Sequence, residues 1–437
     1  MKEDEIQKIK DLDRNLIWHP FTQMQEYQEQ DPLIIERAEG CRLFDVEGKS
    51  YIDGVSSLWL NVHGHRHPAL DEAIRKQLDK VAHSTLLGIG NLPSVQLAEQ
   101  LLKIAPKNLS KVFYSDNGST SVEVALKMAF QYWQQRGAEK KKKTHFLTLK
   151  NAYHGDTLGS VSVGGIDLFH QIFHPLLFKT QALENFDLSQ AEAILRERHH
   201  EIAACIVEPM IQGAAGMLLQ PAGFLRGMRE LCDRYEVLLI CDEVATGFGR
   251  TGKMFAVEHE GVEPDLMCLA KGITGGYLPL AATLATDEIF DGFRGKFEEY
   301  KTFFHGHSYT GNPLACAAAL ANLEIFSQEK VLAQLPKKIE CFRKGLERFT
   351  THPHVKEVRQ LGLMMGIELV DDKAQGKAYP LELRTAAKVC LEARKGGVLL
   401  RPLGDVLVLM PPLAISEVES TQVLDVLFAS LQRITEK

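Results

Sequence analysis

Val237-Leu238-Leu239-Ile240-Cys241-Asp242-Glu243 is the stretch on which the fold turns. An apolar run ends abruptly in two carboxylates, and Thr246-Gly247-Phe248-Gly249-Arg250-Thr251-Gly252 follows. A second run, Pro264-Asp265-Leu266-Met267-Cys268-Leu269-Ala270, then delivers Lys271 into Gly272-Ile273-Thr274-Gly275-Gly276. Apolar runs this short, bounded by turn residues, suit strands buried on both faces of a parallel sheet. A carboxylate at such a strand's end lies at the carboxyl edge, where open α/β folds bind ligands. Lys271 comes to the same edge.

One chemistry uses both groups. Pyridoxal phosphate needs a lysine amine to capture its aldehyde as a Schiff base and a carboxylate to keep its pyridine nitrogen protonated. The plainer alternative is a buried Asp242–Lys271 ion pair, or two unrelated strand-end charges. The stretch by itself leaves these readings open.

Outward from it, the same pattern repeats. Lys111 to Ser115 reads as a strand running into Asp116-Asn117-Gly118-Ser119-Thr120-Ser121 and a helix from Val122 to Trp133. A polar turn at a helix N-terminus presents free N–H groups and the positive dipole end, which is an anion site. Taken alone, Gly118-Ser119 is no more than a cap. His145 to Leu149 is a strand leading to Asn151-Ala152-Tyr153-His154-Gly155-Asp156-Thr157, and Ile202 to Val207 is another, ending in Glu208-Pro209. Strand-then-helix units with polar residues at the carboxyl ends predict an α/β fold: a mostly parallel central sheet with helices on both faces.

The termini differ in character. Residues 5 to 16 fit an amphipathic helix, and Leu33 to Asp53 reads as a small β-meander. Between them Trp18-His19-Pro20-Phe21-Thr22-Gln23-Met24 is irregular, and a surface arm is its plainer reading beside a lid. After a helix from Pro313 to Phe326 and another near Leu332 to Phe349, short strands alternate with a helix at Leu383 to Lys395. This predicts a large domain over 65–325 and a smaller α+β domain composed of 1–64 and 326–437.

Composition narrows the function classes. The 437 residues carry a net charge of −7, and the one basic block, Lys140 to Lys143, reads as a solvated turn, which argues against a polyanion-binding surface. Eight cysteines lie scattered, several inside apolar runs (Cys205, Cys241, Cys268, Cys316), as reduced core cysteines do in a cytoplasmic protein. Met1-Lys2-Glu3-Asp4-Glu5 is too polar for a signal peptide. No apolar stretch approaches the ~20 residues that span a bilayer. His63, His65 and His67 alternate, but no carboxylate or cysteine is spaced to complete a tetrahedral metal site. No G-x-G-x-x-G follows a strand and no Walker lysine motif is present, which counts against a non-catalytic nucleotide binder.

Three pieces carry a resemblance: Asp-Glu-Val-Ala-Thr-Gly-Phe-Gly-Arg-Thr-Gly over 242–252, Ala-Lys-Gly-Ile-Thr-Gly-Gly over 270–276, and Gly-Asn-Pro-Leu-Ala-Cys over 311–316. With Gly118-Ser119, Tyr153, Glu208 and Arg401 in this order, the chain resembles the fold-type I, class III aminotransferases along nearly its whole length. Within that class, the Trp18 to Met24 segment, Tyr153-His154-Gly155-Asp156 and Arg401-Pro402-Leu403-Gly404 resemble the 8-amino-7-oxononanoate aminotransferases of biotin biosynthesis.

The resemblance implies pyridoxal 5'-phosphate as cofactor and a homodimer with shared active sites. It implies that Lys271 bonds the cofactor and shuttles a proton, while Asp242 keeps the pyridinium charged. Gly118 and Ser119 would hold the phosphate with His307 and Ser308 of the other subunit, Tyr153 would stack on the ring, and Glu208 would complete the cofactor site. On the substrate side it implies Phe21, Leu58, Trp59, Tyr153, Lys271, Gly306 and Arg401, the last gripping a carboxylate. The family pattern that uses S-adenosyl-L-methionine has a tyrosine where Phe21 stands, a tryptophan where Leu58 stands and Gly-Pro-Thr where Gly306-His307-Ser308 stand. The departures resemble a branch in which L-lysine is the donor. A general ω-aminotransferase would share Lys271 and Asp242.

Overall fold

The opening stretch forms the central strand of a seven-stranded sheet. In the computed structural model, which describes residues 1–166 and 170–436, Leu238–Asp242 lies between Ile202–Val207 and Leu266–Leu269 and runs parallel to both. The full order is Leu109–Ser115, Ala281–Thr286, Leu266–Leu269, Leu238–Asp242, Ile202–Val207, His145–Leu149, Thr180–Leu183. Ala281–Thr286 is antiparallel to both neighbours, and the other pairings are parallel. Asp242 is in register with Cys268, so Lys271 emerges just beyond the same edge.

Alternation along the central strand explains why it is apolar throughout. Leu239 and Cys241 face a core that includes Met228, Phe224 and Ala315, whereas Leu238 and Ile240 face a second core with Val122, Ala129 and Trp133. Both faces are covered by helices, Gly118–Gln134 on one side and Phe224–Arg234 on the other. Truncating Ile240, which is fully buried, to Ala removes packing worth about 2–5 kcal/mol.

Two smaller sheets come from the chain ends. Ile35–Glu39, Arg42–Asp45 and Ser50–Asp53 form the meander, and Val398–Leu399 adds to it in parallel, pairing Val398 with Ile52. The other sheet runs Val355–Leu361, Met364–Leu369, Val406–Leu409, Arg401–Leu403. The helices Val331–Thr350, Thr385–Lys395 and Glu417–Thr435 pack beside these sheets. The last begins with a capping box between Ser416 and Glu419.

One expectation fails here. Lys143 is buried, and its Nζ donates to the carbonyls of His199, Ile202 and Glu236 at 2.6, 3.1 and 2.8 Å. The basic block is thus only partly solvated, because one of its amines ties three backbone carbonyls from two segments together. No helix among the described residues is long and apolar enough to cross a membrane.

Candidate active site

Asp242 and Lys271 meet at the sheet edge without forming an ion pair among the described contacts. One Asp242 oxygen accepts the Val244 N–H at 3.0 Å, and the other lies 2.6 Å from Nδ1 of His154. Both Asp242 and His154 are buried, so a desolvated carboxylate is compensated by two donors. Lys271 keeps partial exposure, toward the cavity, yet the protein packed around its amine pulls it down to about 8, against the charges of Asp242 and Glu208. Its Nζ sits 5.0 Å from the centre of the Trp59 ring. Its backbone has φ +46°, a left-handed conformation that costs a side-chain-bearing residue roughly 1–3 kcal/mol.

Glu208 closes the floor. Its carboxylate accepts the Tyr153 N–H at 3.1 Å and the Gly213 N–H at 3.0 Å. Burial pushes it up to about 7; the His154 charge opposes this and the Asp242 charge adds to it. Burial raises the Tyr153 hydroxyl too, helped by Asp156, whose carboxylate accepts from it at 2.7 Å.

The anion end differs from the sequence expectation in detail. The helix starts at Gly118, not Val122, because Asn117 caps it: its side chain accepts the Thr120 N–H at 3.0 Å while Thr120 Oγ1 accepts the Asn117 N–H at 3.1 Å. Gly118 and Ser119 are therefore the first helical residues, and among the described residues their N–H groups have no acceptor. A Cβ on Gly118 would lie 2.5 Å from Val244 Cγ1, so this glycine lets the helix end approach the residues following Asp242. Ser119 Oγ accepts the Thr157 N–H at 3.0 Å and lies 2.7 Å from the Thr157 hydroxyl. Gly155, at φ +121°, admits Ser119 where any Cβ would collide with it.

These groups surround one cavity of about 420 Å³, lined by Trp59, Gly118, Ser119, Tyr153, Glu208, Asp242 and Lys271 together with Asn117, His154, Thr157 and Val244. A lysine amine of lowered basicity, a carboxylate with a second-row histidine and two free N–H groups at a helix N-terminus fit an aldehyde, a basic ring nitrogen and a phosphate. Trp59, Tyr153 and Lys271 also line an adjoining cavity of about 130 Å³ with Phe21, Leu58, Ala214, Arg401, Leu403 and Val408. The Arg401 guanidinium lies 5.7 Å from the Phe21 ring centre. The Trp18 to Met24 arm is thus more than a surface strap, since Phe21 forms a cavity wall.

Gly306, His307 and Ser308 line neither cavity of their own chain, and His307 Nδ1 instead lies 3.3 Å from Asp116. The alternate histidines point to separate partners: His65 to Asp53 at 3.0 Å, His67 to Glu329 at 3.1 Å, and His63 onto the Phe326 ring. The reading from sequence gave no role to His154, Asp156 or Thr157. Their signal was a polar run just past the end of the His145–Leu149 strand, at the edge that Asp242 occupies.

A strand-end lysine and carboxylate facing a helix N-terminus define an α/β enzyme built around a phosphorylated aldehyde cofactor. The family model Aminotransferase class-III matches residues 24–431, and the chain belongs to that family. It is an aminotransferase, and pyridoxal 5'-phosphate is its cofactor. A relative from Nitratidesulfovibrio vulgaris, an adenosylmethionine-8-amino-7-oxononanoate aminotransferase, is 52% identical over 98% of this chain and 82% of its own length. The crystal structure of the enzyme of that name from Methanocaldococcus jannaschii superposes with a TM-score of 0.96 at 46% identity, covering 98% of this chain and 99% of the other. An omega transaminase from Pseudomonas jessenii in complex with PMP superposes with a TM-score of 0.93 at 31% identity, covering 98% of both chains.

Proposed function

We propose that this protein transfers an amino group to 8-amino-7-oxononanoate, forming 7,8-diaminononanoate for biotin biosynthesis. The observation that carries the reading is the mostly apolar cavity that has both Lys271 and Arg401 among its lining residues. An acceptor with a reactive ketone, an aliphatic chain and a carboxylate has chemistry that matches an amine, apolar walls and a guanidinium. Phe21, Leu58, Trp59 and Val408 offer the chain apolar contact, and Arg401 offers the carboxylate a bidentate partner. The names of the similar proteins from N. vulgaris and M. jannaschii support the same acceptor.

Bound pyridoxal phosphate supplies an electron sink for the carbon that loses its proton. Lys271 would anchor the cofactor, and its lowered basicity suits its amine to taking and returning that proton. Asp242 would hold positive charge on the ring nitrogen, and His154 holds Asp242 in place. The Gly118 and Ser119 N–H groups would hold the phosphate and Tyr153 would pack against the ring, while Glu208 fixes Tyr153 through its backbone.

The working unit is a homodimer in the cytoplasm, with Gly306, His307 and Ser308 completing the other subunit's site. Exposed Leu87, Ile89, Phe297, Tyr300, Phe304 and Tyr309 support this reading, since apolar side chains in such number mark a covered face. The division into 65–325 and a smaller domain from 1–64 and 326–437 belongs to the same proposal.

Half-reactions test it. The aminated enzyme should recover its aldehyde absorption on mixing with 8-amino-7-oxononanoate, and no recovery refutes the assignment. Recovery only with short keto acids would establish a general ω-aminotransferase instead. Separate mixing of the aldehyde form with S-adenosyl-L-methionine and with L-lysine identifies the donor by which one bleaches the visible band.

A further inference from the structure

We infer that Asn322, a residue on the helix Pro313–Gln328, is a positioning residue that holds the Lys271 turn in its working conformation. Lys271–Thr274 is a single 3-10 turn entered through a left-handed lysine and left through Gly275 at φ +66°. So short an element has little stability of its own. Within it, Ile273 N–H donates to Ala270 at 3.1 Å and Gly275 N–H to Gly272 at 3.0 Å.

Asn322 supplies what the turn lacks. Its Nδ2 donates to the carbonyls of Gly272 and Ile273 at 3.0 and 3.1 Å. The residue is fully buried, with His63 beside its side chain. Its amide protons are thus directed at the two residues that follow Lys271. On the opposite side, a Cβ on Gly272 would lie 2.9 Å from Phe248 Cβ, so the turn is clamped between an aromatic wall and an amide. A conformation disfavoured for lysine persists only where its surroundings over-determine it, and these two donors are the polar part of that determination. Asn322 touches neither cavity, so its effect reaches the chemistry only through the place and direction of the Lys271 amine.

The inference rests on Lys271 being the cofactor's lysine. Asn322→Asp keeps the shape and removes both donors, and Asn322→Ser keeps one smaller donor. In the Asp holoenzyme the pH midpoint of the lysine-linked visible band should move by about one unit. Its kcat should fall roughly tenfold to a hundredfold, because misplacing a reacting amine has that scale of effect. KM for the acceptor should stay within about twofold, because substrate contacts are untouched. The Ser holoenzyme should fall between, and it decides the matter if the Asp variant does not fold. A folded variant with the wild-type band midpoint and kcat overturns the inference. A Lys271→Ala protein that retains the pH-dependent band overturns the assignment of Lys271 itself, and with it this inference, so the two failures are distinguishable.

Discussion

At the Lys271 end of the site, in the cavity that it shares with Asp242, the polar groups are buried and sit on or past strand ends; at the Arg401 end, in the adjoining cavity, most of the walls come from the terminal portions of the chain. Asp242, Glu208 and His154 are 4, 5 and 3% exposed, whereas Phe21 and Leu58 are 55 and 42% exposed. Each buried carboxylate has two donors within hydrogen-bond distance, as a desolvated charge requires. Phe21 stands beside the Arg401 guanidinium, and Leu58 contributes apolar surface. The contrast separates the two tasks of the enzyme. Proton transfer demands a fixed geometry, which sheet edges supply, while substrate choice tolerates walls that can be exchanged.

The comparison breaks most decisively at Lys271. Lys271→Ala should lower transamination in a coupled assay roughly ten-thousandfold, because both the covalent anchor and the proton carrier are lost. Asp242→Asn should cost about a hundredfold to a thousandfold in kcat, since the charge facing the ring nitrogen disappears. If either variant instead raised KM alone, the division of labour proposed for the two ends would be wrong.

The pH profile follows from the same end. The Lys271 amine lies at about 8, below the usual lysine range, because of burial. Below that pH it carries a proton and cannot accept another, so the rate should fall as pH drops through about 8, approaching tenfold per unit. Replacing the amine by another base should move this limb; a limb unchanged in such a variant assigns it elsewhere.

Effects should be smaller at the other end. Arg401→Ala should raise KM for the carboxylate acceptor roughly tenfold to a hundredfold, the scale of one charge-assisted pair, and an esterified acceptor should lose that dependence. Leu58→Trp and Phe21→Tyr should change donor preference by about tenfold or less, read from the two donor half-reactions. A large loss of kcat from either would show that this wall also sets the geometry of proton transfer.

The sequence made parts of this legible for physical reasons. His145–Leu149, Ile202–Val207 and Met364–Leu369 have the bounds expected from their sequences, since short, mostly apolar runs mark mostly buried strands. Ala281–Thr286 escaped, because half of its residues are alanines, which carry little strand signal, and its antiparallel place depends on its neighbours. Thr180–Leu183 and the helix Glu417–Thr435 escaped as well, although the latter carries a readable capping box at Ser416.

By itself the sequence determined that an acid and an amine stand at the ends of buried runs, that a polar turn holding Gly118 and Ser119 precedes a helix, and that an arginine follows Leu400. Those are local facts, set by hydrophobic period and turn chemistry. Only the tertiary structure decided that Asp242 bonds His154 rather than Lys271, that Phe21 from the N-terminal arm reaches Arg401, and that Asn322 holds the Lys271 turn. Each joins residues far apart in the chain, and such pairings follow from how sheet and helices pack rather than from any local pattern.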